Sequence, residues 1–298
     1  RYRPTTFRII NSKLQSHMIL NPNTLQLIDR AIMEDCSMGD ATTEALISSD
    51  TAGDAIIVSD EVGIVAGTPI ALEVFKKIDP SLTVKSILTD GDTVVVGSEV
   101  ATISGSLASI LTAERTALNF IRKLSGIATQ TSKFVREVSG TNAKIVDTRK
   151  TTPGFRYLEK YAVRMGGGSN HRHNLADGIL IKDNHFRALA KDGLSLEDVV
   201  RKAYKLSSHT IKVEVEVENV AQAESALHAG AEILLLDNMS NGDMEIVIEM
   251  CQGKAVTEAS GGISLSRVRD IANTGVDIIS IGALTHSAPS LDLSLDIT

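Results

Sequence analysis

Six apolar runs recur through the second half of the chain, and the segments between them have helical character. The runs cover residues 143–148, 178–185, 211–218, 231–238, 254–262 and 276–284. Several neighbouring runs lie roughly 20 residues apart, which is enough for one helix and two short loops. An alternation of strands and helices with short connections gives parallel strands joined by right-handed crossovers. The second half of the chain is therefore predicted to be a parallel α/β domain.

Residues capable of chemistry stand at the carboxyl end of every predicted strand. They are Asp147–Lys150, Lys182–His185, the glutamates of 211–218, Asp237–Asn238, Ser260–Gly262 and Gly282–Ala283. In a (β/α) barrel all strand carboxyl ends meet at one mouth, whereas an open doubly wound sheet uses only its switch point. This regular placement favours a barrel over an open sheet. Because only six strands are clear, we expect a barrel of fewer than eight strands.

The strand at 211–218 alternates valine with glutamate. Side chains alternate between the two faces of a strand, so the valines can face the outer helices while one inner face carries Glu214, Glu216 and Glu218. Burying three carboxylates is costly unless they meet cations. Lys150, Lys182 or a metal ion could supply the positive charge. The alternative is an edge strand whose glutamate face is exposed to water.

A local positive zone lies in a chain that is acidic overall. The chain has 30 Lys and Arg against 37 Asp and Glu, a net charge of -7. Between Ala143 and Arg187, however, the chain has nine Lys or Arg and three His but only four Asp or Glu. A binder of nucleic acid through bulk charge would be basic throughout. The zone therefore predicts a small anionic ligand, with arginine suited to carboxylates and lysine to phosphate.

The last two strand ends predict a phosphate site. Ser260-Gly261-Gly262 precedes a helix predicted over 264–274 with Ser264 as its cap, and Gly282-Ala283 ends the final strand, with His286 just beyond. Loops after the last strands of barrels commonly bind phosphate through free backbone N–H groups. Carboxylates that share Mg²⁺ with a phosphate complete the pattern of a sugar-phosphate or phosphoribosyl enzyme.

The first part of the chain predicts an α+β platform or dimerisation domain. A helix begins near Pro22, and short strands are predicted at 53–59, 62–67, 83–89 and 93–103, with a helix at 69–77. A longer helix is predicted over 112–125, capped by Thr112, with Arg115 on its solvent face. Residues 290–297 alternate as a strand that returns to this domain. We predict an N-terminal domain of 1–127 joined by 287–298, and a barrel domain of 128–286.

Composition excludes several classes of function. The longest apolar runs fall short of the ~20 residues of a membrane helix, and the chain has few aromatic residues and no Trp. Cys36 and Cys251 are predicted to be free thiols of a reducing, cytoplasmic compartment, with a disulfide as the alternative. Residues 1–28 carry four basic and no acidic side chains, as in the tail of an organelle transit peptide. A plastid or other organelle is therefore the alternative compartment, and a flexible extension the alternative interpretation of this segment.

Eight segments together resemble the quinolinate phosphoribosyltransferase family. They are AERTALNFIRKLSGIAT (113–129), DTRKTTPG (147–154), GGGSNHR (166–172), LIKDNH (180–185), VEVEVE (213–218), LLLDN (234–238), EASGGI (258–263) and IGALTHS (281–287). The resemblance runs from about residue 21 to the end of the chain, and it is the order of the motifs that makes it specific.

The resemblance implies an α/β fold, an incomplete (β/α) barrel with an α+β N-terminal domain. It implies that quinolinate and phosphoribosyl pyrophosphate give nicotinate mononucleotide, pyrophosphate and CO₂ with Mg²⁺, a step of NAD biosynthesis. It also implies a homodimer or a higher oligomer. Arg115 matches the family arginine that reaches into the neighbouring subunit's site, which replaces the solvent-face interpretation.

The resemblance further implies individual roles. Quinolinate and the pyrophosphate are expected to be surrounded by Arg149, Lys150, His171, Arg172 and Lys182. The ribose hydroxyls and Mg²⁺ are expected at Glu216 and Asp237, which with Lys150 are the implied catalytic residues. The 5′-phosphate is expected at Ser260, Gly261, Gly282 and His286. The one departure from the family pattern is His173-Asn174 after the His-Arg pair.

Three other functions remain open from the sequence. A homologous enzyme could act on a different substrate, such as nicotinate, or be a relative associated with molybdenum transport. A barrel aldolase or isomerase would use Lys182 as a Schiff-base nucleophile. A binding protein without catalysis is the third alternative.

Overall fold

A computed structural model describes residues 18–298 of the chain. Those residues fall into two units, the first ending at Thr129 but including Ser290–Thr298, and the second covering Gln130–Pro289. The predictions for residues 1–20 fall almost wholly outside the described residues. Within residues 18–298, no helix combines the length and apolar character that a bilayer crossing demands. Cys36 and Cys251 are free thiols, as predicted.

The helices and strands of the described residues have the following bounds. The helices are α1 Pro22–Cys36, α2 Ala41–Leu46, α3 Thr68–Ile78, α4 Leu107–Glu137, α5 Arg156–Met165, α6 Asp183–Ala190, α7 Leu196–Leu206, α8 Val220–His228, α9 Asn241–Cys251, α10 Val268–Asn273 and α11 Ala283–His286. The strands are β1 Ala52–Ser59, β2 Gly63–Ile64, β3 Thr83–Ser86, β4 Thr93–Val94, β5 Glu99–Ser106, β6 Lys144–Val146, β7 Ile179–Ile181, β8 Val213–Val217, β9 Ile233–Asp237, β10 Val256–Ser260, β11 Ile278–Ser280 and β12 Leu293–Ile297.

The second unit is built on a six-stranded parallel sheet in the order β6-β11-β10-β9-β8-β7. All six strands coincide with the predicted apolar runs, which confirms the strand–helix repeat. The first two strands in sequence, β6 and β7, stand at opposite edges of the sheet. Within the described residues the barrel is therefore incomplete.

Strand β8 shows why these residues form this sheet. It pairs with β7 on one side and β9 on the other, so the edge-strand alternative is wrong. Val213, Val215 and Val217 are fully buried, as expected for side chains that face the helix layer. The alternation places Glu214 and Glu216 on the opposite face.

The structure confirms one predicted helix cap and contradicts another. Asn219 caps α8 by accepting a hydrogen bond from the Gln222 amide at 3.0 Å, as predicted. Helix α10, in contrast, begins at Val268, so the predicted Ser264 cap is wrong. The Ser264 carbonyl instead accepts hydrogen bonds in a turn that precedes the helix.

The first unit has a four-stranded antiparallel sheet in the order β12-β1-β5-β3. The pairing of β12 with β1, in register Ala55↔Ile297, confirms the predicted return of the C-terminal strand. The strand predicted at 93–103 is two strands, β4 and β5, because Gly97 at φ 83° makes a turn between them. Helix α4 begins five residues before the predicted start, so Thr112 lies inside it. Ser106 accepts a hydrogen bond from the Ser109 amide at its N-terminus.

Candidate functional site

One cavity of about 590 Å³ opens at the carboxyl ends of the parallel strands. Every strand of the sheet, or the loop that follows it, contributes to its lining. The residues that line it are Thr148, Arg149, Lys150, His171, Arg172, Leu180, Lys182, Glu216, Leu235, Asp237, Asn238, Glu258, Ser260, Gly261, Gly262 and Ser280. The convergence predicted from the strand ends is therefore realised in a single site.

The cavity gathers most of the residues proposed from the sequence. Those that line it are Arg149, Lys150, His171, Arg172, Lys182, Glu216, Asp237, Ser260 and Gly261. Gly282 and His286 lie next to this set: a Cβ added to Gly282 would stand 2.9 Å from Cδ of Lys150 and 3.2 Å from Nε2 of His286. Arg115 belongs to the first unit and is not among the lining residues.

The cationic side of the cavity is suited to an anion. The Nε atom of Arg149 is buried and has no hydrogen-bond partner. Arg172 donates to the Gly178 carbonyl at 3.1 Å, and burial together with the nearby Arg149 charge lowers the pKa of its guanidinium. Two arginines this close are unfavourable without a counter-charge, so the arrangement favours a bound anion.

The two carboxylates predicted to hold Mg²⁺ face the same cavity. Glu216 lies 3.5 Å from the Lys182 ammonium, and Asp237 accepts a hydrogen bond from Nδ2 of the Asn238 side chain at 2.8 Å. A carboxylate offers about four lone-pair positions, so one such partner leaves acceptors for a cation. Because Mg²⁺ is held by one or two carboxylates and substrate phosphates, these residues fit the ion.

The loops after β9 and β10 have unusual backbone geometry. Among the described residues other than glycine, Asn238 alone has a positive φ, 54°. Its amide donates to the Ser260 carbonyl at 3.0 Å, which ties the two loops together. Gly261, at φ 96°, lies so close that an added Cβ would stand 2.2 Å from Oδ1 of Asn238. Only glycine fits here, as in loops whose backbone approaches phosphate closely.

Substitution of Gly261 by alanine is expected to weaken binding of phosphoribosyl pyrophosphate, the substrate that the sequence resemblance implies. The added Cβ must displace the Asn238 side chain, and a cost of about 1–3 kcal/mol in binding corresponds to a roughly 5- to 160-fold rise in KM. Steady-state kinetics with varied phosphoribosyl pyrophosphate measures the effect. Gly230→Ala is the matched control, because Gly230 has φ 91° but no atom within 4 Å of the added Cβ. Equal KM values in the two variants would contradict the prediction.

Lys150 is fixed by its main chain rather than by its side chain. Its amide donates to Oγ1 of Thr148 at 3.0 Å, and its carbonyl accepts from Oγ1 of Thr285 at 2.7 Å. These bonds join the loop after β6 to the short helix α11. The ammonium group of Lys150 is thereby carried on a defined backbone at the rim of the cavity.

Beneath the cavity lies a buried ion pair that the sequence did not reveal. The Lys160 ammonium donates to Asp147, and both side chains are 0% exposed. Burial raises the pKa of Asp147 and lowers the pKa of Lys160. Asp147 also accepts from the Asn170 side chain at 2.6 Å and from the His171 amide at 2.9 Å. The pair therefore anchors the loop that carries His171.

His171 lies between two buried carboxylates. Its Nε2 is 3.5 Å from Glu214 and 3.4 Å from Glu258. Its Nδ1 accepts a hydrogen bond from the Arg172 main-chain amide at 2.8 Å, so the ring hydrogen is on Nε2 and points toward the two carboxylates. Burial raises the pKa of Glu214. Among the described residues, the side chain that Glu214 meets is thus His171. Glu216 meets Lys182, one of the two predicted lysines, at 3.5 Å.

Glu258 was missed by the sequence analysis although a signal was present. It stands two residues before Ser260 in β10, so the alternation of a strand places both on the cavity face. The same rule places Ser280 with Gly282. The sequence analysis selected Ser260, the last residue of β10, but not the residue two positions before it on the same face.

Comparison with known families matches nearly the whole chain. Residues 127–296 match the family described as quinolinate phosphoribosyl transferase, C-terminal domain. Residues 40–125 match the corresponding N-terminal domain.

Individual relatives cover the chain at similar identity. The chain is 42% identical over 275 residues to the probable nicotinate-nucleotide pyrophosphorylase [carboxylating] of Bacillus subtilis, covering 92% of this chain and 93% of the relative. It is 40% identical over 283 residues to the mitochondrial quinolinate phosphoribosyltransferase [decarboxylating] 2a of Nicotiana tabacum, covering 90% and 80%. The solved nicotinate-nucleotide pyrophosphorylase of Francisella tularensis is 40% identical with a TM-score of 0.88, covering 95% and 99%.

Proposed function

Because the chain belongs to the quinolinate phosphoribosyltransferase family, we propose that the cavity of its second unit transfers the phosphoribosyl group to quinolinate. The substrates are quinolinate and phosphoribosyl pyrophosphate, and the products are nicotinate mononucleotide, pyrophosphate and CO₂. The chain is a pentosyltransferase of NAD biosynthesis, and its relatives are named nicotinate-nucleotide pyrophosphorylase [carboxylating] and quinolinate phosphoribosyltransferase [decarboxylating].

The observation that carries this assignment is the division of the cavity into a cationic and a glycine-rich part. Arg149, Lys150 and Arg172 offer positive charge to a dianionic pyridine and to the leaving pyrophosphate. The loops of Gly261 and Gly262 offer close backbone approach to a 5′-phosphate. A phosphoribosyl transfer needs both features in one cavity.

The side chains account for the chemistry as follows. The pyridine nitrogen attacks C1′ of the ribose while pyrophosphate leaves, through a transition state of oxocarbenium character. Glu216 and Asp237 stabilise the positive charge that develops on the ribose. The 2-carboxylate then departs as CO₂, and the electron pair of the broken C–C bond stays on C2 beside the positively charged ring nitrogen. Uptake of a proton at C2 gives nicotinate mononucleotide. Lys150 and Arg149 hold the carboxylates in the orientation that this step requires.

Mg²⁺ is proposed at Glu216 and Asp237, shared with the substrate. When bound, the ion neutralises charge on the pyrophosphate group. The carboxylates supply oxygen ligands of the type that Mg²⁺ prefers. Removal of the ion by chelation is therefore expected to stop turnover, and added Mg²⁺ to restore it.

The assignment is tested with quinolinate and nicotinate as parallel substrates. Each is incubated with phosphoribosyl pyrophosphate and Mg²⁺, and nicotinate mononucleotide and CO₂ are measured. Product with stoichiometric CO₂ from quinolinate alone is the expected result. Turnover of nicotinate alone would keep the phosphate site but overturn the dicarboxylate substrate, and inactivity with both would overturn the function.

The proposed assembly is a homodimer in which Arg115 completes the partner's site. Arg115 has a side chain 56% exposed, and it lies on α4 outside the cavity lining, as a residue used in another subunit would. Arg115→Ala and Lys150→Ala should each be inactive alone. Mixed and reassembled in equal amounts, half of the dimers carry one intact site, so about a quarter of the activity should return. No recovery in verified mixed dimers would contradict the shared site.

The proposed compartment is the cytoplasm, with an organelle as the alternative. Free Cys36 and Cys251 suit a reducing compartment. The tobacco relative is named mitochondrial. Imaging of the full chain fused at its C-terminus to a fluorescent protein distinguishes the two compartments.

A further inference from the structure

All four polar groups of His171 are engaged by protein groups. Its amide donates to Asp147 at 2.9 Å, and its carbonyl accepts from the Lys160 ammonium at 2.9 Å. In the side chain, Nδ1 accepts from the Arg172 amide at 2.8 Å. Nε2 faces Glu214 and Glu258 at 3.5 and 3.4 Å. The imidazole therefore has no ring nitrogen directed at a ligand of the cavity.

The Arg172 bond fixes the tautomer of this imidazole. An N–H group can donate to Nδ1 only when Nδ1 carries no hydrogen, so the ring hydrogen is on Nε2. That hydrogen points toward the two carboxylates. The three residues come within 4.8 Å of one another, as metal ligands do, but an Nε2 that carries hydrogen has no lone pair for a metal. The geometry thus favours a hydrogen-bonded cluster over a metal site.

The two glutamates are costly where they stand. Glu214 is 6% and Glu258 is 2% exposed, and Oε1 of each has no hydrogen-bond partner. Negative charge beneath a cavity for anions opposes ligand binding, and burial of a carboxylate costs free energy. Neither charge serves the ligand directly, so a gain elsewhere must offset the cost.

The benefit that offsets this cost is the placement of Arg172. Its main-chain amide is held by the His171 ring, and its guanidinium lines the cavity beside Arg149. The imidazole can hold the amide only if it is kept in one orientation. The carboxylates on β8 and β10 supply that constraint from the opposite side of the ring.

We propose that Glu214 and Glu258 are positioning residues that orient the His171 imidazole, which in turn holds the Arg172 main chain and keeps its guanidinium directed at a carboxylate of the substrate. This role rests on the proposed function, and it makes His171 a positioning residue rather than a direct ligand of quinolinate. In this order of action the carboxylates orient the imidazole, the imidazole holds Arg172, and Arg172 contacts the substrate.

A direct contact between His171 and quinolinate predicts the opposite change in quinolinate affinity. If His171 bound quinolinate directly and the glutamates acted only as charges, neutral glutamine would relieve repulsion and tighten quinolinate binding. If the glutamates position the ring, loss of the acceptor oxygen must weaken binding. Glutamine retains one acceptor oxygen, whereas alanine retains none.

The first measurement compares Glu258→Gln with Glu258→Ala. Loss of the 3.4 Å contact between Nε2 of His171 and Oε1 of Glu258 removes a constraint on the ring, and we expect a roughly tenfold rise in the Kd and KM of quinolinate for the alanine variant. The glutamine variant should recover most of this loss. The KM of phosphoribosyl pyrophosphate and the kcat should stay within about threefold of the parent values. Tighter quinolinate binding by Glu258→Gln would overturn the proposal.

A double-mutant cycle tests whether the effect passes through Arg172. Glu258→Ala is combined with Arg172→Lys, and quinolinate binding is measured for the parent, both single variants and the double variant. If Glu258 acts through the guanidinium, the second substitution adds little to the first. Purely additive effects would overturn the proposed order of action.

Thr257→Ala is the control for a general loss of stability in β10. Thr257 is buried on the other face of the strand, where its hydroxyl lies 2.9 Å from Asp277. This variant should unfold at lower urea concentration while its Kd for quinolinate stays unchanged. A Thr257→Ala variant that weakens quinolinate binding as much as Glu258→Ala would count against a positioning role. Parent turnover of quinolinate is measured in parallel, so failure of the proposed function is recognised separately.

Discussion

Replacement of Arg149 by alanine is expected to abolish turnover while leaving the fold intact. Arg149 directly follows the first strand of the sheet, lines the cavity, and buries an Nε atom without a hydrogen-bond partner. No described acidic side chain forms an ion pair with it, so its charge is available to a ligand carboxylate. Removal of a positive group that stabilises the reacting anion typically costs roughly 10²- to 10³-fold in rate. Because Arg149 is only half-buried and forms no ion pair with a described residue, its removal should not weaken the core.

Two variants sharpen this prediction. Arg149→Lys keeps the charge but not the planar pair of donors that binds a carboxylate through two bonds, so it should recover only part of the activity. Arg201→Ala removes an equal charge from α7, where Arg201 pairs with Glu197 at 2.8 Å on the surface, and should leave turnover unchanged. Kinetics of quinolinate turnover and circular dichroism of the three variants make the comparison. Near-normal turnover by a folded Arg149→Ala would refute the site.

The strand–helix repeat could be predicted because each element carries its own local pattern. Apolar runs such as 231–238 are buried on both faces in a parallel sheet, and this makes them continuous rather than alternating. Boundaries were less predictable. The α4 helix extends well beyond the predicted 112–125, since tertiary packing lengthens a helix past its best local caps.

The residues of the candidate site also fall into those that the sequence could reveal and those that it could not. Residues in loops after strands, such as Lys150 and Gly261, could be found because convergence of strand ends is a property of the fold. The pairing of His171 with Glu258 could not, since these residues are far apart in sequence and the motifs that contain them do not show that the two side chains meet. A buried lysine such as Lys160 looks like any other helix lysine until its partner across the fold is known.

The buried pair of Lys160 and Asp147 supports the second large prediction. Both side chains are 0% exposed, so water cannot compensate either charge when the other is removed. Breaking such a pair typically costs 3–5 kcal/mol, whereas neutralising both partners together costs far less. Asp147 also holds Asn170 and the His171 amide, so loss of the pair should disturb the cavity as well as the fold.

Lys160→Met is therefore expected to lower the free energy of unfolding by about 3–5 kcal/mol and to reduce turnover with it. Asp147→Asn combined with Lys160→Met is the matched control, because it removes both charges and keeps an acceptor oxygen for the His171 amide. Urea unfolding of the parent, the single and the double variant measures the difference, and a double variant no more stable than the single would contradict the explanation.

The same pair predicts how the stability of Lys160→Met changes with pH. Burial raises the native pKa of Asp147 above its unfolded value, so the native state binds the proton more strongly and Lys160→Met should regain stability as the pH falls.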